Sequence, residues 1–471
     1  MLPLLFFWHF FNRCGRRRQE KHGSIFLLKL QHLPIFWYDC KVKRTHAPFQ
    51  RVTLSNGVRL ILIPMEGVNS VATSVMIGVG SRYETKAING ISHFLEHIVF
   101  KGTNKYPTTD DVNTIERIGG LQNAYTDIDI TNYHNKVLST DWELALEINK
   151  ELALAPLIEQ QHIDRERSVI IEEMKRCEDE PEVKVGEAFH TMMYPSQSLG
   201  MRTIGETESL KSIGAPELRT YRDTWYTPER IVVVLAGNLV LSHTSEVFSR
   251  VEEWFGSLPK KKTGDIEPVV DKQDKPKLEV VTKPDAQQAH LTLGFRTFSR
   301  GSDDRFAWNV FNLLMGVSFT SRLFKEIREK RGLCYAIRSG SDGWADVGYW
   351  SIYAGVGTDK VEEATTATLA EVAKVVENGV TDEEVAVAKK RIKTMLAFKS
   401  EDPEFFTEFY GRQEVFNQPI MTVEEHLSRI EAVTKEDIHG LVKKYLTQKT
   451  LNMALVWNKP GEEKLGKLLR I

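Results

Sequence analysis

The segment beginning at Thr140, TDWELALEINKELALAPLIEQQHIDRERSVI, aligns without a gap on the segment beginning at Thr358, TDKVEEATTATLAEVAKVVENGVTDEEVAVA. Each opens with Thr-Asp, runs on as an amphipathic helix and reaches a second helix, for which Asp164 and Asp382 are the expected N-caps. Upstream, GGLQNAY has a looser counterpart in RGLCYAI. A chain that repeats itself at this distance has to build the same unit twice, because 471 residues exceed what one core ordinarily holds. The expected organisation is an extension at 1–48, a first domain at 49–257, a linker at 258–277 and a homologous second domain at 278–471. The linker, LPKKKTGDIEPVVDKQDKPK, is marked by its prolines and charges.

The content of the first unit sets the fold class. QRVTLSNGVRLILIPME reads as a hairpin turning at Asn56-Gly57, and SVATSVMIGVGS as a further strand. GLQNAYTDIDITNYHNKVL carries β-branched and aromatic residues at strand spacing. TTDDVNTIERIG and STDWELALEINKELALA read as helices, the second capped by Ser139 or Thr140 and stopped by Pro156. Strands and helices together give an α+β class, two duplicated α/β sandwiches in which a mixed sheet is covered by helices.

Charge and cysteine usage exclude several function classes. Residues 1–48 hold nine Lys and Arg against Glu20 and Asp39, so the rest of the chain is acidic and offers nucleic acid no basic surface. Cys14, Cys40, Cys177 and Cys334 are scattered without a C-x-x-C, which suggests neither a disulfide framework nor a cysteine metal site. No apolar run reaches the roughly 18–20 residues a membrane span requires. In MLPLLFFWHFF the basic residues follow the apolar run, the reverse of a secretory signal. The expectation is therefore a cytoplasmic protein with a disordered or loosely docked extension, or a mitochondrial matrix protein if 1–48 acts as a transit peptide.

One short motif carries the chemistry. GISHFLEHIVFKGT places His93, Glu96 and His97 in an otherwise apolar run. On a helix, residues four apart stack on one face about 6 Å apart, so both imidazoles can reach one ion. Glu96, on the flank of that face, is placed to serve as a general base, and a carboxylate buried among histidines is costly without a compensating cation. H-x-x-E-H is the inverted zincin order. A catalytic zinc takes three protein ligands and leaves a position open, so a third ligand is needed. IDRERSVIIEEMKR offers Glu166, Glu172 and Glu173, with Glu166 and Glu173 two turns apart on one helical face and Glu172 rotated about 100° away. Spacing leaves open whether Glu166 or Glu173 is the ligand and which supports it. The second unit has no H-x-x-E-H, and Arg391 stands where the alignment puts Glu173. The chemistry belongs to the first unit.

From residue 50 to about 460 the chain resembles the pitrilysin-type metallopeptidases, in particular the two-domain branch of bacterial processing proteases and the mitochondrial processing peptidase. GSRYETKAINGISHFLEHIVFKGT, GGLQNAYTDIDITNY and ERSVIIEEM carry the resemblance. It implies a clam-shell of two such domains, the first catalytic and the second non-catalytic and substrate-binding. It implies one Zn2+ per chain held by His93, His97 and Glu173, with Glu96 as the base and Glu166 supporting from behind a ligand. It implies that Arg328 and Tyr335, in REKRGLCY, hold the substrate backbone, and that Asn123 and Ala124 of LQNAYT pair with an extended peptide.

The expected activity is zinc-dependent hydrolysis of peptide bonds in unstructured or presequence-like polypeptides, the water being activated by zinc and deprotonated by Glu96. One chain carries both the zinc motif and the Arg/Tyr pair, so a homodimer is the expected assembly, with a heterodimer as the other arrangement. The competing reading is a non-catalytic core or peptide-binding subunit of the same fold.

Overall fold

In the computed structural model, residues 49–239, 244–262, 264 and 266–471 are described; the extension expected at 1–48 lies outside them. The Asn56-Gly57 hairpin pairs β1 (Gln50–Thr53) antiparallel with β2 (Arg59–Pro64), and Gly57 takes the positive φ of 108° that its turn requires. β3 (Ser70–Ile77), β4 (Leu121–Thr126), β5 (Thr131–Leu138) and β6 (Ile231–Gly237) complete a mixed sheet in the order β1-β2-β6-β3-β5-β4. Only β2 and β6 run parallel. The second unit forms β7 (Lys277–Thr282), β8 (Gln288–Thr297), β9 (Cys334–Gly343), β10 (Gly348–Gly357) and β11 (Leu451–Trp457), ordered β7-β11-β8-β10-β9. Here β7 and β11 are the parallel pair. Apart from β1 the two sheets share one topology, and GGLQNAY and RGLCYAI run into the corresponding edge strands, β4 and β9.

The helices that position the site are α1 (Ile91–Val99), α2 (Trp142–Leu154), α3 (Gln160–Asp179) and α4 (Pro181–Met193) in the first unit. Their counterparts for α2 to α4 are α5 (Val361–Asn378), α6 (Asp382–Lys399) and α7 (Pro403–Val415). Several local expectations need correction. Thr381, not Asp382, caps α6, its side chain accepting from the Glu384 N–H. Helix α3 starts four residues before Asp164, whose carboxylate instead accepts from Gln160 within the first turn. Helix α2 begins after Asp141, because Ser139–Asp141 forms a 3-10 turn. TTDDVNTIERIG divides at Asn113 into two four-residue helices, the first closed by a Thr108/Asp111 capping box. GLQNAYTDIDITNYHNKVL reverses at Asp127–Ile130 to give β4 and β5.

The linear order conceals an exchange between the units. Helix α4 leaves the first unit to pack on β7, β8 and β11, where Val185, Phe189 and Met193 meet Ala454 and Val456. Helix α7 does the reverse, setting Phe405, Phe406, Phe409 and Tyr410 against Ile61, Met76, Val232 and Val234 of the first sheet. Close approach is possible because Gly294 and Gly411 lack side chains: a Cβ would stand 2.5 Å from Phe189 Cζ in one case and 2.6 Å from Met76 Sδ in the other. Strand β6, IVVVLAG, is buried along its whole length. Val233 and Leu235 face the main core of the first unit while Val232, Val234 and Ala236 face α7, as a strand covered on both faces requires.

Candidate metal centre

Helix α1 is held by its apolar residues and by one buried carboxylate. Ile91, Phe94, Leu95, Ile98 and Val99 are buried, leaving His93, Glu96 and His97 only partly covered. The helix starts at Gly90, in the left-handed region at φ 93°, where a Cβ would come 2.8 Å from the Ile204 carbonyl oxygen. Glu84 closes this end: its carboxylate accepts from Gly90 N–H at 2.7 Å, Ser92 N–H at 2.9 Å and Asn89 Nδ2 at 2.9 Å. These bonds satisfy the Gly90 N–H at the cap and one open N–H of the first turn, that of Ser92, at the end where the helix dipole favours a carboxylate. Burial nevertheless pushes the Glu84 carboxyl up to about 7.

Helix α3 packs against α1 and brings the third donor. The His93 and His97 rings lie 4.7 Å apart between centroids, and Glu173 Oε2 is 3.8 Å from His93 Nε2 and 3.5 Å from His97 Nε2. One donor atom from each of the three residues falls within 4.8 Å of the others. Ligands about 2.1 Å from a tetrahedral zinc are about 3.4 Å from one another, so this donor set fits zinc closely. Glu172 points elsewhere: its side chain is 71% exposed and pairs with Lys175 at 2.7 Å. Glu166 lies behind His97, its Oε2 3.3 Å from His97 Nδ1 and its Oε1 2.8 Å from Lys101 Nζ. A carboxylate on the far nitrogen fixes the ring and leaves Nε2 free to ligate.

The charges suit that arrangement. Burial, with His97 adding to it, holds His93 down at about 4, so its ring is neutral. Burial also lowers His97, but the carboxylates of Glu173, Glu166 and Glu96 outweigh it and leave the ring above its ordinary value. The hydrogen bond from His97 keeps Glu173 below the usual carboxylate range. Glu96 is raised by burial, against the pull of the Thr126 hydroxyl and of His97. A carboxylate raised toward neutrality is a better proton acceptor at working pH.

His93, Thr126 and Glu173 line a cavity of about 510 Å³ whose other walls include Arg300, Trp344 and Tyr349 of the second unit. Strand β4 lies beside α1 and is the outer strand of its sheet. Asn123 is exposed and Ala124 buried, and the Ala124 N–H is taken by the neighbouring Asn123 Oδ1 at 2.9 Å.

The family assignment follows from the whole chain. A family model described as "Insulinase (Peptidase family M16)" matches residues 60–207, and a second, "Peptidase M16 inactive domain", matches residues 212–392. The chain is 33% identical over 401 residues to the Bacillus subtilis (strain 168) protein named "Uncharacterized zinc protease YmxG", covering 85% of this chain and 96% of that one. It is 32% identical over 430 residues to a Mycobacterium leprae (strain TN) protein also named an uncharacterized zinc protease, covering 89% and 94%. The chain belongs to peptidase family M16, the pitrilysin type. Among solved structures, a protease from Helicobacter pylori superposes with a TM-score of 0.82 at 22% identity, over 87% of this M16 chain and 99% of the other. A Pseudomonas fluorescens structure titled a peptidase M16 inactive domain gives 0.80 at 18% identity, over 88% and 99%. Both share the fold of two helix-covered mixed sheets.

Not every expected site residue of this M16 chain gathers at the centre. Arg328 and Tyr335 meet each other, the guanidinium 5.4 Å from the ring centroid, and Tyr335 is 77% exposed. Among the described residues, no hydrogen bond, ion pair or ring contact joins them to His93, Glu96, His97 or Glu173. Three residues at the centre escaped the sequence reading. Lys101, four residues after His97 and just beyond the end of α1, carried a usable signal. Glu84 and Thr126 carried none, since only the tertiary structure aims them at Gly90 and Glu96.

Proposed function

We propose that this M16 protein is a zinc endopeptidase that cleaves unstructured polypeptides. The convergence of His93, His97 and Glu173 beside Glu96, at a cavity bordered by an edge strand, carries this reading. Zinc, when bound by those three residues, supplies a Lewis acid for the scissile carbonyl and acidifies water. Glu96 takes the proton of the attacking water and returns it to the departing amine nitrogen. Glu166, through His97 Nδ1, keeps the ring oriented. An extended peptide adds to the outer edge of β4, with the Ala124 N–H released by Asn123 and given to the substrate backbone. Folded proteins cannot offer such a strand, so flexible chains are selected.

Tyr335 is exposed and Arg328, half-buried over the Phe324 ring, lies against it, as groups waiting for a substrate backbone would be. In a homodimer each pair serves the zinc centre of the partner, so that two chains complete two sites. The test is a pool of unstructured peptides, with cleavage and metal content read by mass spectrometry. Wild type and Glu172→Gln are expected to bind zinc and cleave, Glu96→Gln to bind zinc and lose at least about 100-fold in rate, and Glu173→Gln to lose the metal. A wild type that binds no zinc, or a Glu96→Gln variant with full activity, overturns the reading.

A further inference from the structure

The carboxylate of Glu96 is held by a hydroxyl whose flanking residues are held by the other unit. Thr126, the last residue of β4, donates from Oγ1 to Glu96 Oε2 at 2.6 Å. On its upstream side, Tyr125 donates to Glu408 at 3.0 Å and accepts from Arg412 Nη1 at 3.2 Å. On its downstream side, Asp127 lies 3.5 Å from Arg412 Nη2, and Asp129 accepts from Arg300 Nη2 at 2.6 Å. The Arg300 and Asp129 side chains are only 9% and 8% exposed. Asn132, at the start of β5, also donates to Glu408, at 2.8 Å.

Glu408 and Arg412 lie on α7, the helix that the second unit lends to the first sheet, and Arg300 follows β8. A buried ion pair is expensive to break because it leaves an uncompensated charge, so these contacts fix the 125–129 turn firmly. A general base has to be held to a fraction of an ångström of its working position, and a free glutamate side chain is not.

We propose that Thr126 is a positioning residue for Glu96, and that Arg300, Glu408 and Arg412 of the second unit set it through the turn. The inference rests on the endopeptidase reading. The unit that lacks the metal motif thus retains control of the base in the unit that has it.

Thr126→Val keeps the shape of the side chain and removes the hydroxyl, whereas Thr126→Ser keeps the hydroxyl. Each variant is compared with wild type for kcat, KM and metal content, and for the visible spectrum after cobalt(II) substitution, which responds to groups around the metal. Thr126→Val is expected to lower kcat about tenfold or more, leave KM and metal content unchanged and alter the cobalt spectrum; Thr126→Ser is expected to match wild type in all four. Arg412→Gln, or Arg412→Lys if the first fails to fold, is expected to lower kcat in wild type but to have little further effect on Thr126→Val.

Wild-type kcat and an unchanged cobalt spectrum in Thr126→Val overturn the role of Thr126. Additive effects of the Arg412 and Thr126 substitutions overturn the role of the second unit. If wild type cleaves no peptide, the endopeptidase reading fails by itself. The cobalt spectra of Thr126→Val and Thr126→Ser then decide the positioning role, supporting it if only the first differs from wild type and overturning it otherwise.

Discussion

Glu84 shows how much one buried side chain can contribute to a centre it never touches. Its carboxyl rises to about 7 through burial, compared with an ordinary value near 4.5. Between those values the folded chain binds the proton more tightly than the unfolded chain does. The stabilising contribution of Glu84 is therefore complete below about pH 4.5 and is lost as pH rises through about 7. A shift of this size corresponds to about 3 kcal/mol. Denaturant melts of wild type and Glu84→Gln across pH 4.5 to 8 are expected to show that extra pH slope only in wild type. Glu84→Gln is also expected to be less stable at pH 5, since an amide offers one oxygen where the carboxylate and its conjugate acid offer two. Equal slopes in the two proteins would remove the titration from Glu84.

At the scale of elements, the exchanged helices α4 and α7 determine what the two units can do separately. Phe406 belongs by sequence to the second unit, yet it is 1% exposed against Ile61, Met76 and Val234 of the first. Phe406→Ala is expected to cost about 3–5 kcal/mol. The loss has a predicted location. Amide exchange in β3 and β6 should accelerate while β8 and β10 stay protected, and uniform acceleration of both sheets would mean that the whole chain unfolds as one unit.

The whole molecule places Arg328 and Tyr335 where no described contact ties them to His93, His97 or Glu173 of their own chain. If a partner supplies them, two inactive proteins should repair each other. Mixing Glu96→Gln with Arg328→Ala under conditions that exchange subunits is expected to restore about a quarter of wild-type activity, since half of random dimers are mixed and each mixed dimer holds one intact site. Peptide cleavage against mixing ratio measures this. A mixture no more active than its components would mean that each chain uses its own pair.

Much of this protein was legible without coordinates. The alignment of Thr140 with Thr358 anticipated two like units, and the structure draws them with one strand order. The H-x-x-E-H spacing put two imidazoles on one helical face because helix geometry is local and fixed at 3.6 residues per turn. Local spacing left Glu166 and Glu173 equivalent, since two turns of one helix present both on the same face. Only the packing of α3 against α1 sets Glu173 before both Nε2 atoms and Glu166 behind His97. The hydroxyl of Thr126 on Glu96 and the exchange of α4 with α7 also depend on contacts between residues distant in sequence. Such contacts leave no periodic trace in the chain, because they are chosen by packing and by pairing of buried charge once the elements have formed. Helix geometry, read from local spacing, puts the candidate donors on shared faces; packing between helices selects which of those donors meet.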